Sequence, residues 1–169
     1  MRVIGVTSLV DGSPYSLKSS RHVFFCDFDS VIFEDVFEET KRLHEKWGID
    51  LYILQSSIDG FHLVSFDVLP PRLVQSIAAD VRLENDYPLL SSLERMADRF
   101  LTLRVSMKAK KSAPVFVARF VRLNNYLKSR AHVDMYRVMC GVSVPKWYEG
   151  MYVESVPYMA SYNTHHRLK

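Results

Sequence analysis

The chain has 169 residues, enough for one domain with a real core, and it shows no internal repeat, low-complexity tract or disordered composition. Its 48% apolar and 24% charged residues make a globular balance, and 22 Lys and Arg against 19 Asp and Glu leave a mild positive excess that permits a nucleic-acid partner without requiring one. No uncharged apolar run approaches the roughly 18–20 residues of a membrane span, "MRVIGVTSLVDGSP" turns polar too soon for a signal peptide, and the two cysteines, Cys26 and Cys140, cannot build a structural zinc site alone. These features predict one domain over residues 1–169, without membrane association. They place it in a reducing compartment: the cytoplasm, or the nucleus in a eukaryotic or viral setting.

"RVIGVTSLV" (residues 2–10) is a predicted strand, followed by the turn-rich "DGSPYSLKSSR" (11–21). "HVFFCDFD" (22–29) reads as a second, buried strand in which Cys26 packs as a small hydrophobe. "FEDVFEETKRLHEKWG" (33–48) has helical spacing, with Val36, Phe37, Thr40, Leu43 and Trp47 on one side. Its first turn is acidic, its last basic, and Gly48 follows as a stop. "IDLYILQSS" (49–57) is a third strand, turned at Asp59-Gly60 into "FHLVSFDVL" (61–69) as a hairpin. Pro70-Pro71 opens a helix over "RLVQSIAADVRL" (72–83), and "NDYPLLSSLERMAD" (85–98) is a connector with room for a short helix. "RFLTLRVSMK" (99–108) is a strand, "AKKSAP" (109–114) a basic turn, and "VFVARFVRL" (115–123) another strand. A helix is predicted over "NNYLKSRAHVDMYRVMC" (124–140), and the aromatic tail has the composition to add strands. The fold class is α+β: an RRM-like, mainly antiparallel sheet with helices packed on one face, the motif-bearing core spanning about 20–122 and a C-terminal helix and tail 123–169.

Three stretches carry chemistry. In "HVFFCDFDSVIF", Asp27 and Asp29 lie in an apolar run, where ionised carboxylates are costly without a partner. Strand alternation puts both on one face, opposite Phe24, Cys26 and Phe28. Two hard oxygen ligands so placed suit Mg²⁺ or Mn²⁺, with phosphate oxygens completing the shell. The plainer alternative is that Asp29-Ser30 caps the next helix, which accounts for one aspartate and not both. In "SSIDGFHLVS", the hairpin brings the Ser56 hydroxyl and the His62 imidazole together as donors to phosphate, although a histidine beside a turn is more commonly a surface residue. In "RFLTLRVSMKAKK", Thr102, Arg104, Ser106 and Lys108 share one face of a half-buried strand, the stripe being either phosphate-binding or a solvated face.

The acidic Asp-x-Asp strand, the Ser56-to-His62 hairpin with Gly60 two residues before the histidine, and the later Arg/Ser/Lys strand together resemble the archaeo-eukaryotic primase superfamily over roughly residues 20–110. That superfamily includes small primase subunits and primase-polymerases. The resemblance implies template-directed nucleotidyl transfer on an RRM-like core, with two divalent metals on Asp27 and Asp29. It implies that Ser56, His62, Ser106 and Lys108 cradle the incoming triphosphate, while Arg99 or Arg104 neutralises transition-state charge. The implied partners are an NTP or dNTP, a single-stranded DNA template, and a helicase or accessory primase subunit. The family's usual third carboxylate is missing from "FLTLRVS"; Asp86 is the best-placed candidate, ahead of Glu94 and Asp98. These residues also hold no zinc-binding stem of the kind many members carry.

Two other classes compete. "FFCDFDSVIF" also fits the opening strand of a haloacid-dehalogenase phosphatase, with Asp27 as nucleophile and Asp29 as general acid. That fold needs a parallel sheet and a later acidic pair, and neither is legible here. A non-catalytic nucleic-acid- or protein-binding module on the same sheet would use basic side chains and the tail tyrosines Tyr148, Tyr152, Tyr158 and Tyr162. The adjacent His165-His166 does not supply the His-x-His pair of a rolling-circle nicking enzyme.

Overall fold

The computed structural model describes residues 2–12, 20–83, 102–108, 111–154 and 159–163. Its centre is a four-stranded antiparallel sheet in the order β4-β6-β5-β8, where β4 is Phe25–Phe28, β5 Leu51–Gln55, β6 Phe61–Val64 and β8 Val115–Phe120. A second antiparallel sheet, β11-β1-β7, joins β1 (Arg2–Thr7) to β7 (Thr102–Arg104) and β11 (Met159–Asn163). Two short pairs complete the strands: β2 (Leu9–Asp11) with β3 (Arg21–His22), and β9 (Lys128–Ser129) parallel to β10 (Tyr152–Val153).

Sequence pattern explains the two layers. Along β4, Cys26 and Phe28 face one way and Phe25 and Asp27 the other. Cys26, Phe28, Ile53 and Leu63 join the core beneath α1 (Phe33–Trp47) and α2 (Pro71–Asp80), which contribute Val36, Leu43, Val74 and Ile77. Each such buried side chain contributes roughly 1.5–3 kcal/mol. The opposite face is not open. Phe25, Tyr52, Leu54 and Val64 pack there with Val6 and Leu103 of the second sheet and with Val133 and Tyr136 of α3 (Arg130–Cys140). The sheet is therefore packed on both faces, while its edge strand β8 leaves Val115, Val117 and Arg119 exposed.

Several boundaries shift from those predicted. The first strand breaks at Ser8 into β1 and β2, and "HVFFCDFD" breaks after His22, so β4 stops at Phe28, one residue before Asp29. α1 runs as expected to Gly48, which takes the left-handed conformation (φ 69°) and donates its N–H to His44. The last helix starts at Arg130 rather than 124, because Lys128 and Ser129 are extended and pair with β10. The connector 85–98 lies outside the described residues. Among the described residues no helix is long and apolar enough to cross a membrane.

The interior holds an ionic cluster that the sequence reading missed. Lys128 is fully buried, donating to Asp50 at 3.0 Å and to Asp67, both carboxylates also fully buried. Asn124 accepts from the same ammonium at 3.0 Å, and Tyr148 donates to Asp50 at 2.5 Å. The Asp67 and Asp50 oxygens also take backbone N–H groups from Asp50 and Arg122. Burial pushes Asp67 up to about 6.

Candidate functional site

The site is built where β4 and β6 end. Their register places Asp27 directly opposite His62, so the two side chains share a face. His62 Nε2 lies 3.4 Å from Asp27 Oδ1. The imidazole is 3% exposed and the carboxylate 28%. Burial holds His62 neutral, at about 3, with a smaller downward push from Arg104. Its Nδ1 is buried and has no hydrogen-bond partner among the described residues, an uncommon condition for a buried polar atom.

Asp29 reaches the site by a different route from the one predicted. It lies just past the strand, exposed, and the chain then turns through Ser30 at φ 58°. The amide of Val31 donates to the Asp59 carbonyl at 3.0 Å, stitching this turn to the tip of the β5–β6 hairpin. The hairpin closes on itself through the amides of Ser56 and Ser57, which both donate to the Gly60 carbonyl. A Cβ on Gly60 would sit 2.4 Å from Ser57 Oγ, 3.0 Å from Ser56 Oγ and 3.1 Å from Asp29 Oδ1. A side chain there would displace the Ser57 hydroxyl and crowd that of Ser56 and the Asp29 carboxylate. The capping alternative fails: the N-cap of α1 is Ile32, and no side chain caps that helix.

The third stretch takes partly different roles. Arg104 donates to the carbonyls of Ser106 and Ser112, both at 2.6 Å, and to that of Ser56 at 3.0 Å. Its guanidinium ties β7, the following turn and the hairpin together. The Ser106 hydroxyl accepts the Ile4 amide at 2.8 Å and donates to the Met107 carbonyl at 3.3 Å. Both side chains thus also hold the backbone around the hairpin, beside the charge-neutralising and phosphate-binding roles that the resemblance implies for them. Lys108 is exposed, its backbone bridged to Lys111. Arg99 and Asp86, with the alternatives Glu94 and Asp98, lie outside the described residues.

Beside the hairpin is a cleft of about 350 Å³ lined by Ser56, Ser57, Lys111 and Ser112, with Ile58 and Val115 on its rim. Lys111 belongs to the basic turn noted in the sequence, but that reading singled out Lys108 instead. Lys111 and Asp29 both contribute to the electrostatic field at His62. Among the described residues, neither Lys108 nor Lys111 joins an ion pair. Carboxylates thus stand on one side of the hairpin and an unneutralised ammonium on the other, with hydroxyls between.

The donor set suits a hard divalent cation: two carboxylates close to the surface, with a neutral imidazole alongside. Among the described residues no group of three His, Cys, Asp or Glu gathers to hold a metal. Tyr148, a candidate base-stacking side chain in the sequence, is fully buried against the Lys128 cluster, and Tyr152 lies beneath Arg130. The wholly antiparallel central sheet removes the haloacid-dehalogenase reading, whose architecture is parallel.

Fold and site define an α+β domain with an acidic strand end set against a Ser/Gly/His hairpin. No family model, no curated protein and no solved structure matches the chain.

Proposed function

We propose that the protein is a metal-dependent nucleotidyltransferase of the primase–polymerase type, adding nucleotides from an NTP or dNTP on a single-stranded DNA template. One observation carries this reading: the Asp27–His62 pair across β4 and β6, with Asp29 brought close to Gly60 of the hairpin by the adjoining turn. The Asp-x-Asp and Ser-to-His motifs that resemble archaeo-eukaryotic primases thereby meet at one place.

Asp27 and Asp29 would hold Mg²⁺ or Mn²⁺, with Asp86 as the third ligand suggested by the resemblance. Bound metal supplies activation of the attacking hydroxyl and neutralisation of phosphate charge. In the transfer, the primer 3′-oxygen bonds to the α-phosphorus, the bond to the departing pyrophosphate breaks, and the hydroxyl proton leaves to solvent or base. His62, neutral at pH 7, would act as a fixed phosphate donor and not as a second cation. Ser56 orients the same phosphates. A helicase or accessory subunit remains a natural partner for such a domain.

The second reading, a binding module that has lost the reaction, is favoured by having two and not three carboxylates among the described site residues. Labelled-nucleotide incorporation on a single-stranded template, with and without primer and in Mg²⁺ or Mn²⁺, separates the two. The expected result is metal-dependent product that falls at least ~100-fold in Asp27→Ala/Asp29→Ala. A folded protein that binds single strands and gives no product in any lane establishes the binding module instead.

A further inference from the structure

We infer that the cleft between the β5–β6 hairpin and the turn before β8 is an anion site for the terminal phosphates of a nucleoside triphosphate, with Lys111 as its cation. This rests on the nucleotidyl-transfer reading for the nucleoside, though not for the anion.

The resemblance assigns phosphate binding to Ser106 and Lys108, with an arginine at Arg99 or Arg104. In the folded chain, Arg104 is spread over three backbone carbonyls and Ser106 is held by the Ile4 amide. Lys108 is not among the residues lining the cleft, whereas Lys111 is. Lys111, on the cleft itself, is placed to supply a cation to a polyphosphate on the hairpin side, with Arg104 behind it holding Ser56 and Ser112.

The cleft's composition fits that ligand. Among the described residues its lining holds the hydroxyls of Ser56, Ser57 and Ser112, that of Ser57 also donating to Asp59 at 3.3 Å, and no carboxylate. Lys111 has no acidic partner among the described residues, so its charge is available to an incoming anion. The larger cleft of about 670 Å³ near α3 makes the contrast: there Asp134 and Glu149 stand among Arg130, Arg137 and Lys146, and Arg130 already pairs with Glu154 at 2.9 Å. At about 350 Å³ the hairpin cleft lies at the small end of ligand pockets, ~300–1,000 Å³. That size suits a phosphate chain and leaves the nucleoside outside.

The backbone around the site is already fixed. Lys108 and Lys111 exchange both backbone hydrogen bonds, at 2.9 and 2.8 Å, and Arg104 clamps Ser112 to Ser56. Lys111 is exposed, so replacing it leaves the core untouched.

The test is isothermal titration of the full chain with MgATP, MgADP and inorganic tripolyphosphate, using wild type, Lys111→Ala, Lys111→Arg and Lys108→Ala. Lys111→Ala should weaken ATP and tripolyphosphate binding about tenfold, the loss expected for one charge-assisted contact. It should change ADP binding far less, Lys111→Arg should retain most of the affinity, and Lys108→Ala should stay within about threefold of wild type. Wild type that binds none of the three anions overturns the site. So does Lys111→Ala with unchanged triphosphate affinity, or Lys108→Ala with the larger loss. Lys111-dependent binding of tripolyphosphate in a protein that incorporates no nucleotide leaves the anion site standing and removes the transferase reading.

Discussion

Two pairs of aspartates interrupt apolar runs in this chain, and the fold treats them in opposite ways. Asp50 and Asp67 are sealed inside and share the ammonium of Lys128, with Asn124, Tyr148 and backbone amides satisfying the remaining oxygens. Asp27 sits at the end of a strand, partly exposed, with Asp29 exposed just beyond it, and the imidazole facing Asp27 is held uncharged. The first pair is closed around a buried ammonium, while the second lies at the surface beside a neutral imidazole. The difference lies in burial: one carboxylate pair is sealed around an internal cation, and the other, beside a hydroxyl-bearing hairpin, can be reached from solvent.

The sharpest way to break this contrast is to remove a charge from each pair. Lys128→Met leaves two buried carboxylates without their cation and should cost roughly 3–5 kcal/mol, read by urea unfolding. Asp27→Asn/Asp29→Asn changes one half-buried and one exposed carboxylate at the surface and should shift stability by only about 0.5 kcal/mol in either direction. A large loss in the second and a small one in the first would reverse the assignment. Metal provides the complementary measurement. Millimolar Mn²⁺ should raise the melting temperature of wild type by linkage and leave the Asp27→Asn/Asp29→Asn variant unmoved.

Acidification should act on the histidines. His22 and His132 are buried and held at about 4, and His62 at about 3, each below the ~6.5 of the unfolded chain. Below pH 6.5 the unfolded state therefore binds more protons, so stability is full above that pH and declines as pH falls toward 4. The cost reaches about 3 kcal/mol for each of His22 and His132. Asp67, raised to about 6, works the other way: its contribution is present at low pH and lost as pH rises through 6. Three groups against one give a net loss on acidification, measurable as a falling urea midpoint. His132→Asn should flatten that slope.

Gly60→Ala tests the convergence at the hairpin. Its methyl group would meet Ser57, Ser56 and Asp29, and should cost ~1–3 kcal/mol, with nucleotide incorporation falling more than stability predicts. The smallest effect is expected at the cysteines. Burial pushes both thiols up, Cys140 to about 12, so neither should react with a thiol reagent until the protein unfolds.

Much of this was legible in the sequence. Helical spacing and Gly48 located α1, Asp59-Gly60 located the hairpin, and the Asp27/His62 motifs met across one register. What escaped depended on tertiary pairing. The interruption that drew attention to Asp27 was equally present at Asp50, between Ile49 and Leu51, and at Asp67, between Phe66 and Val68, but nothing local shows that Lys128 closes them. Strand alternation placed Asp29 beside Asp27 for the wrong reason, since the strand ends at Phe28 and a turn through Ser30 does the placing. Nor does spacing reveal that Arg104 and Ser106 are consumed by backbone groups, because their partners, Ile4, Ser56 and Ser112, come from other segments.

The Arg104 contacts have a consequence for how the site responds to a ligand. One guanidinium gathers carbonyls at positions 56, 106 and 112, so three separate stretches of chain have lost their relative freedom before any substrate arrives. The entropy of aligning them belongs to folding and is not charged against binding. A triphosphate entering this cleft would meet a frame already set, and its discrimination would come from fit rather than closure.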